Sequence, residues 1–359
     1  MPHEPRESSE AAARVRIGRL GVGDDEPVVI IAEAGVNHNG EVDNALRLVD
    51  VAAEARADLV KFQVFRADEL ATAAAGVAGY QRQAGDSSQR EMLRRLELTD
   101  DELARVRTHC ADRGIEFLAT PFSPSDVERL RQLDVPAIKI ASTDLNNTPL
   151  LREAATTTLP LIVSTGASTR EEITACVANL RVWGAGERLV LLHCVSGYPA
   201  PLESANLRTI HTIRQEFGVP CGFSDHTRST GIGGWAVAAG ARVLEKHFTL
   251  DRTAAGPDHA MSLNPSELKS YIQTARTTET AMGDGTIGMT EIETDVRNVA
   301  RKSIVAARPI AAGTTLTAEM ITVKRPGGGI PPEEYYAVLG QQTTRDLAAD
   351  AVVTWDVIQ

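Results

Sequence analysis

From residue 27 onward the chain alternates short apolar runs with longer stretches whose apolar positions recur at helical spacing. The runs are VVIIAEAG (28–35), DLVKFQVF (58–65), IEFLATPF (115–122), AIKIAST (137–143), PLIVSTG (160–166), RLVLLHCV (188–195), VPCGFSDH (219–226) and RVLEKHFT (242–249). Between them, NALRLVDVAAEA, TREEITACVANLRVW and LRTIHTIRQEF read as amphipathic helices. Ser, Thr and Asp stand where N-caps fall in TDDELARV and SPSDVERL. Eight such β/α units over roughly 250 residues have the length and rhythm of a TIM (β/α)8 barrel. A doubly wound sheet, the rival α/β architecture, has fewer strands and a Gly-rich phosphate loop after the first. Here the first strand runs into EAGVNHNG, so a barrel is expected.

The rhythm stops after NPSELKSYIQTARTTETAMGDG. The barrel domain is therefore expected over residues 15–284, a linker over 285–302 and a separate, turn-rich, β-prone domain over 303–359. So small a domain has little core of its own and leans on something else. Residues 1–14 read as a disordered tail.

Composition narrows the partners. A formal net charge of −11 argues against nucleic acid or an anionic membrane, while leaving room for a locally positive pocket. Cys110, Cys176, Cys194 and Cys221 form no CxxC pair, as expected of reduced thiols in a cytoplasmic enzyme. The N-terminal stretch has no apolar h-region, and no apolar run reaches the length of a membrane span.

Barrel active sites form at the C-terminal ends of the strands, so inward-facing polar residues there are candidates. The first run supplies Glu33 and Asn37, the second Lys61 and Gln63, and the fourth Lys139 with Ser142 just beyond. The fifth ends on Ser164, the sixth leads to Ser196 and Tyr198, the seventh gives Ser224 and His226, and the eighth Glu245 and His247. One lysine or serine at a strand end ordinarily meets solvent or satisfies a turn; the convergence of so many is what points to a site. His226 and His247, one β/α unit apart, fall on neighbouring strands and are suited to a divalent metal with open positions. Two lysines with several hydroxyls suit a small ligand carrying phosphate and carboxylate groups. The reaction does not follow from these residues alone.

The segments IIAEAGVNHNG, VKFQVF, ATPFS, IVSTG, LLHCVSGYPAP, GFSDHT, LEKHFTLD, GPDHAMSLNP, ARKSIVA and VKRPGGGI, in this order, resemble the sialic (nonulosonic) acid synthases. The resemblance runs from about residue 15 to the C-terminus. It implies a TIM barrel followed by an antifreeze-like (SAF) domain, in a domain-swapped homodimer whose C-terminal domains cap their partners' barrels. It also implies condensation of phosphoenolpyruvate (PEP) with N-acetylmannosamine, releasing phosphate and using Mn2+ or Mg2+. On this resemblance His226 and His247 hold the metal, and Glu33 orients or deprotonates water. Lys61, Thr120 and Ser142 match positions for the PEP carboxylate, and Lys139, Ser164, Ser224 and Ser196 match its phosphate side. Gln63, Tyr198, Glu245 and Asp258 match the sugar site, with Arg325 reaching the N-acyl group from the partner's cap. The chain departs from the usual family pattern at Ser196 and Gly197, at Ala141 and Thr143, and in RPGGGI. These departures leave legionaminate, pseudaminate or 9-phosphate synthesis as alternatives.

Overall fold

The structure is a computed structural model that describes residues 13–73, 75 and 88–359. The greater part of the expected N-terminal tail, residues 1–12, lies outside the described residues. The chain divides into a first unit ending at Gly283 and a second running Asp284–Gln359.

All eight apolar runs form strands: β3 (Val29–Gly35), β4 (Leu59–Val64), β5 (Glu116–Pro121), β6 (Ile138–Ile140), β7 (Leu161–Ser164), β8 (Leu189–Cys194), β9 (Cys221–Asp225) and β10 (Val243–His247). They pair in parallel and in chain order, and β10 closes on β3 to complete a barrel of the TIM type. Alternation along each strand divides the core in two. Val29, Ile31, Leu59, Leu118, Ile162, Val190, Leu192 and Val243 fill the interior. Ile30, Val60, Phe62, Phe117, Ile140, Val163, Leu191, Phe223 and Leu244 face the surrounding helices. The N-caps read from the sequence form capping boxes: Thr99 and Ser123 accept the backbone N–H groups of Glu102 and Asp126, whose carboxylates return the bond.

An N-terminal hairpin, β1 (Val15–Ile17) and β2 (Leu20–Val22), precedes the barrel and was not expected. It turns through Gly18, whose φ of 53° is left-handed, and Arg19. Val15, Ile17 and Val22 join the interior cluster beside Val29, Leu59 and Val243 at the N-terminal ends of the strands, so the hairpin plugs that end. Burying each such side chain contributes about 1.5–3 kcal/mol.

The second unit has its own core, including Ile304, Ile310, Leu316, Ile321, Ile330, Leu347, Val353 and Val357. It is organised around antiparallel β11 (Ser303–Ala306) and β12 (Ile321–Lys324) with isolated bridges such as Val305–Val352 and Ile310–Leu347. Ser303 Oγ donates to the Pro326 carbonyl and accepts the Gly329 N–H, both at 2.9 Å, which pins the RPGGG turn after Arg325. The stretch expected as a linker carries a short helix, Thr294–Ala300, entered through a box in which Thr290 N–H donates to Glu293. Its apolar residues Ile287, Met289, Ile292, Val296 and Val299 are all exposed.

Candidate active site

Strand register brings the polar ends to one height. His247 pairs with Glu33 and Glu33 with Lys61. Gln63 pairs with Thr120, Cys194 with Ser224, and Ser224 with Glu245. A bulge after Glu33 turns β3 through Gly35, whose φ of 56° is left-handed. A Cβ there would stand 3.3 Å from Asp258 Oδ2 and 3.4 Å from Glu33 Oε1, so glycine lets those two carboxyl groups approach.

The floor of the site is a buried group of two acids and two bases. Lys61 Nζ lies 3.3 Å from Glu33 Oε2, 3.2 Å from Glu245 Oε2 and 3.1 Å from Thr120 Oγ1. Lys139 Nζ donates to Ser164 Oγ at 2.6 Å and to the Ile140 carbonyl at 2.8 Å, and lies 3.9 Å from Glu245 Oε1. Ser224 donates to Glu245 Oε1 at 2.8 Å. Lys61 is thus shared between Glu33 Oε2 and Glu245 Oε2.

The protonation states diverge within this cluster. Burial pushes the Glu33 carboxyl up to about 7, against the pull of Lys61. Burial acts the same way on Glu245, but Lys139 and Lys61 outweigh it and hold this carboxylate below its ordinary range. Lys61 is driven down by burial but up further by Glu245 and Glu33, and stays a firm cation. Lys139, with burial dominant and only Glu245 close by, is lowered to about 8. Two adjacent carboxyls thus differ, one near neutrality and one fully ionised, the pattern of groups with separate tasks.

Above this floor stand the imidazoles of His226 and His247, ring centres 5.4 Å apart, with the Tyr198 ring 4.2 Å from that of His226. His226 Nδ1 lies 2.8 Å from the Val195 carbonyl; burial lowers this ring's pKa, but Cys194 and that carbonyl raise it above the ordinary value, and once the ring is neutral the same bond keeps the proton on Nδ1 and leaves Nε2 as a lone-pair donor. His247 is kept neutral by burial, reinforced by the positive charges of His226 and Lys61, and its Nδ1 has no hydrogen-bond partner. Asp258, pushed up to about 6 by burial, brings Oδ2 to 3.9 Å from that nitrogen. Among the described residues no three His, Cys, Asp or Glu side chains are grouped to hold a metal. Two imidazoles, with His247 Nδ1 lacking a hydrogen-bond partner, are the donors that a divalent cation would meet here.

The remaining expected residues divide by depth and by unit. Ser142 Oγ accepts the Gly166 N–H at 3.0 Å at the rim. Ser196 is exposed there, and Gln63 and Tyr198 are half-buried. Glu245 lies with the lysines, below Gln63 and Tyr198. Arg325 is in the second unit, exposed. His38 and His193 are both buried nearby; His193 bonds the Ala205 carbonyl at 2.7 Å. The sequence reading passed over Cys194, whose Sγ is 3.7 Å from His226 Nδ1. The alternation that selected Ser196 and Tyr198 also selects residue 194, and that signal was available. Among the described residues no helix is long and apolar enough to cross a membrane.

A closed parallel barrel with a dry, lysine-bearing floor and two imidazoles above it defines a TIM-barrel enzyme for a small anionic substrate. The chain belongs to the NeuB family: the family model matches residues 48–287, and a SAF domain model matches residues 301–359. It is 38% identical to the N,N'-diacetyllegionaminic acid synthase of Legionella pneumophila, over 92% of this chain and 94% of that protein. It is 34% identical to the N-acetylneuraminate-9-phosphate synthase of Mus musculus, over 94% of each. Among solved structures, the N-acetylneuraminic acid synthetase of Leptospira borgpetersenii superposes with a TM-score of 0.71 at 33% identity, covering 79% of this chain and 95% of that one. The protein is an enzyme of the sialic, legionaminic and pseudaminic acid synthase type.

Proposed function

We propose that the enzyme condenses PEP with the open-chain aldehyde of a 2-acetamido mannose-type sugar, and that a divalent cation held by His226 and His247 takes part. The observation that carries this reading is the pair of lysines, Lys61 and Lys139, both buried against Glu245 beneath the two imidazoles. Lys61 and Thr120 receive the PEP carboxylate, with Ser142 at the rim. Lys139, Ser164 and Ser224 receive the phosphate, with Ser196 beside it. Both ammonium groups already neutralise Glu245, so an anion arriving between them exchanges one counter-charge for another in a low-dielectric site.

Carbon 3 of PEP then bonds to the aldehyde carbon, whose oxygen becomes the hydroxyl of the product. A bound divalent cation supplies Lewis acidity toward that oxygen. Water adds at PEP carbon 2, and the resulting tetrahedral carbon expels inorganic phosphate by C–O cleavage, leaving the keto group. Glu33, whose carboxyl is pushed up to about 7, takes the proton of that water, balancing the proton that the aldehyde oxygen gains as it becomes a hydroxyl. Gln63, Tyr198 and Asp258 hold the sugar above.

A diacetamido acceptor is a second reading, favoured by the 38% identity to the legionaminic acid synthase against 34% to the 9-phosphate synthase. We propose further that the enzyme is a homodimer in which Arg325 reaches the acyl group from a second copy. Exposed Val296 and Val299 on the helix, with exposed Ile292 in the turn before it, support self-association; Val296→Glu should lower the mass seen in sedimentation.

The test is phosphate release from PEP with Mn2+, offering N-acetylmannosamine, its 6-phosphate and the 2,4-diacetamido analogue separately, with mass spectrometry of the product. A nine-carbon keto acid from one sugar identifies the acceptor, and His226→Ala abolishes it. No release with any sugar overturns the reading.

A further inference from the structure

At the end where the histidines stand, β9 and β10 pair through Ser224–Glu245 and Asp225–Lys246, and the side chains of His226 and His247 meet just beyond; successive pairs alternate across the sheet. Ser224 bonds Glu245 inside the barrel at 2.8 Å, and the His226 and His247 rings meet inside at 5.4 Å. Between these pairs Asp225 and Lys246, paired in register, turn outward under the helices. Lys246 Nζ lies 2.8 Å from Asp225 Oδ2, with side chains 1% and 0% exposed. The same ammonium donates to the Thr227 carbonyl and sits 5.6 Å from the centre of the Tyr271 ring. Asp225 Oδ1 accepts the Thr227 N–H at 2.7 Å. One lysine therefore grips β9 on both sides of His226, while His247 follows that lysine directly in the chain.

We propose that the Asp225–Lys246 pair is a positioning device that sets the spacing and tilt of His226 and His247 for a divalent cation. The inference rests on the proposed metal reading of these histidines. A buried ion pair stabilises a fold little more than an apolar pair of the same shape does. Its charge-assisted bonds, however, are short and directional. Rotation of β9 about its axis would swing the His226 ring, and it would have to break the bonds to residues 225 and 227 together. Groups behind metal-binding histidines typically contribute about 10–100-fold in metal affinity.

The experiment measures Mn2+ binding to the full chain without substrates, by the loss of the free-ion EPR signal. Wild type is compared with Asp225→Asn, the double variant Asp225→Asn/Lys246→Met, His226→Ala and Asp58→Asn. Asp58 pairs with Arg276 at 2.6 Å and accepts the Ile30 N–H, near the N-terminal ends of the strands, so it controls for general softening. The double variant leaves no unpaired buried charge; should it fail to fold, Asp225→Asn alone carries the test. The expected result is binding about 10–100-fold weaker for the double variant, weaker by a smaller factor for Asp225→Asn, and unchanged for Asp58→Asn. Wild-type affinity in Asp225→Asn or the double variant, or an equal loss in Asp58→Asn, overturns the positioning role. No Mn2+ binding by wild type, or undiminished binding by His226→Ala, overturns the metal reading and this inference with it.

Discussion

The Lys61 ammonium lies 3.2 Å from the Glu245 carboxylate, and both side chains are more than nine-tenths buried. β3 separates their strands, so the contact exists only because the sheet closes. Lys61→Met leaves Glu33 and Glu245 as two acids sharing Lys139. The expected loss is about 3–5 kcal/mol of stability, as when one partner of a buried pair is removed. Adding Glu245→Gln should recover most of that stability and none of the PEP affinity. Urea unfolding and the KM for PEP separate the two effects.

Glu33, raised to about 7, gives a pH prediction. If the carboxylate accepts the proton of water, kcat/KM for PEP rises with pH and levels off above about 7. Glu33→Gln should lower the rate about 100-fold or more and remove that limb. A limb due to the ionisation of PEP itself would persist in the variant.

Gly166 lies beneath the rim hydroxyls. A Cβ there would come within 2.4 Å of Ser196 Oγ and 2.9 Å of Ser142 Oγ. Gly166→Ala should fold and raise the KM for PEP, and Gly166→Ala/Ser196→Ala should recover part of the loss because the nearest clash is gone. An unchanged KM in Gly166→Ala would remove Ser142 and Ser196 from the PEP site.

Acid stability is set partly far from the site. Asp24 bonds Arg214 and lies 3.0 Å from Arg242, and although burial pushes its carboxyl up, the two guanidiniums bring it below the ordinary 3.8. A carboxyl lowered in the folded state contributes stability above its unfolded value and loses it as pH falls through the folded one. Asp24→Asn should therefore melt about 1–3 °C below wild type at pH 7. The gap should close below pH 3.8, which thermal scans across pH would reveal.

The barrel was legible because its strands are self-declaring. LVKFQV and LVLLHC are apolar enough to be strands in any parallel sheet, and the polar residues that interrupt them mark the open end. Parity placed Lys61 with Gln63 and Glu245 with His247 on inner faces. It could not show that Glu245 would lie between the two lysines, because that depends on closure and strand tilt. The hairpin at RIGRLGV went unread for a different reason: three-residue strands carry too little pattern to distinguish from a loop, and only Gly18 hinted at the turn. Asp225 and Lys246 escaped because an outward-facing charge in a strand looks like a solvated one until the helices cover it.

The plug formed by β1 and β2 makes the barrel a vessel with one opening. Lys61 stands one inward step below Gln63 on β4, so an anion on the lysines would lie under a sugar held at Gln63 and Tyr198. Were PEP and the sugar held as proposed, the anion would have to enter before the sugar, and phosphate to leave after the new keto acid. That order would follow from the depth of the lysines, with Val15, Ile17 and Val22 adding to the apolar packing at the opposite end of the barrel.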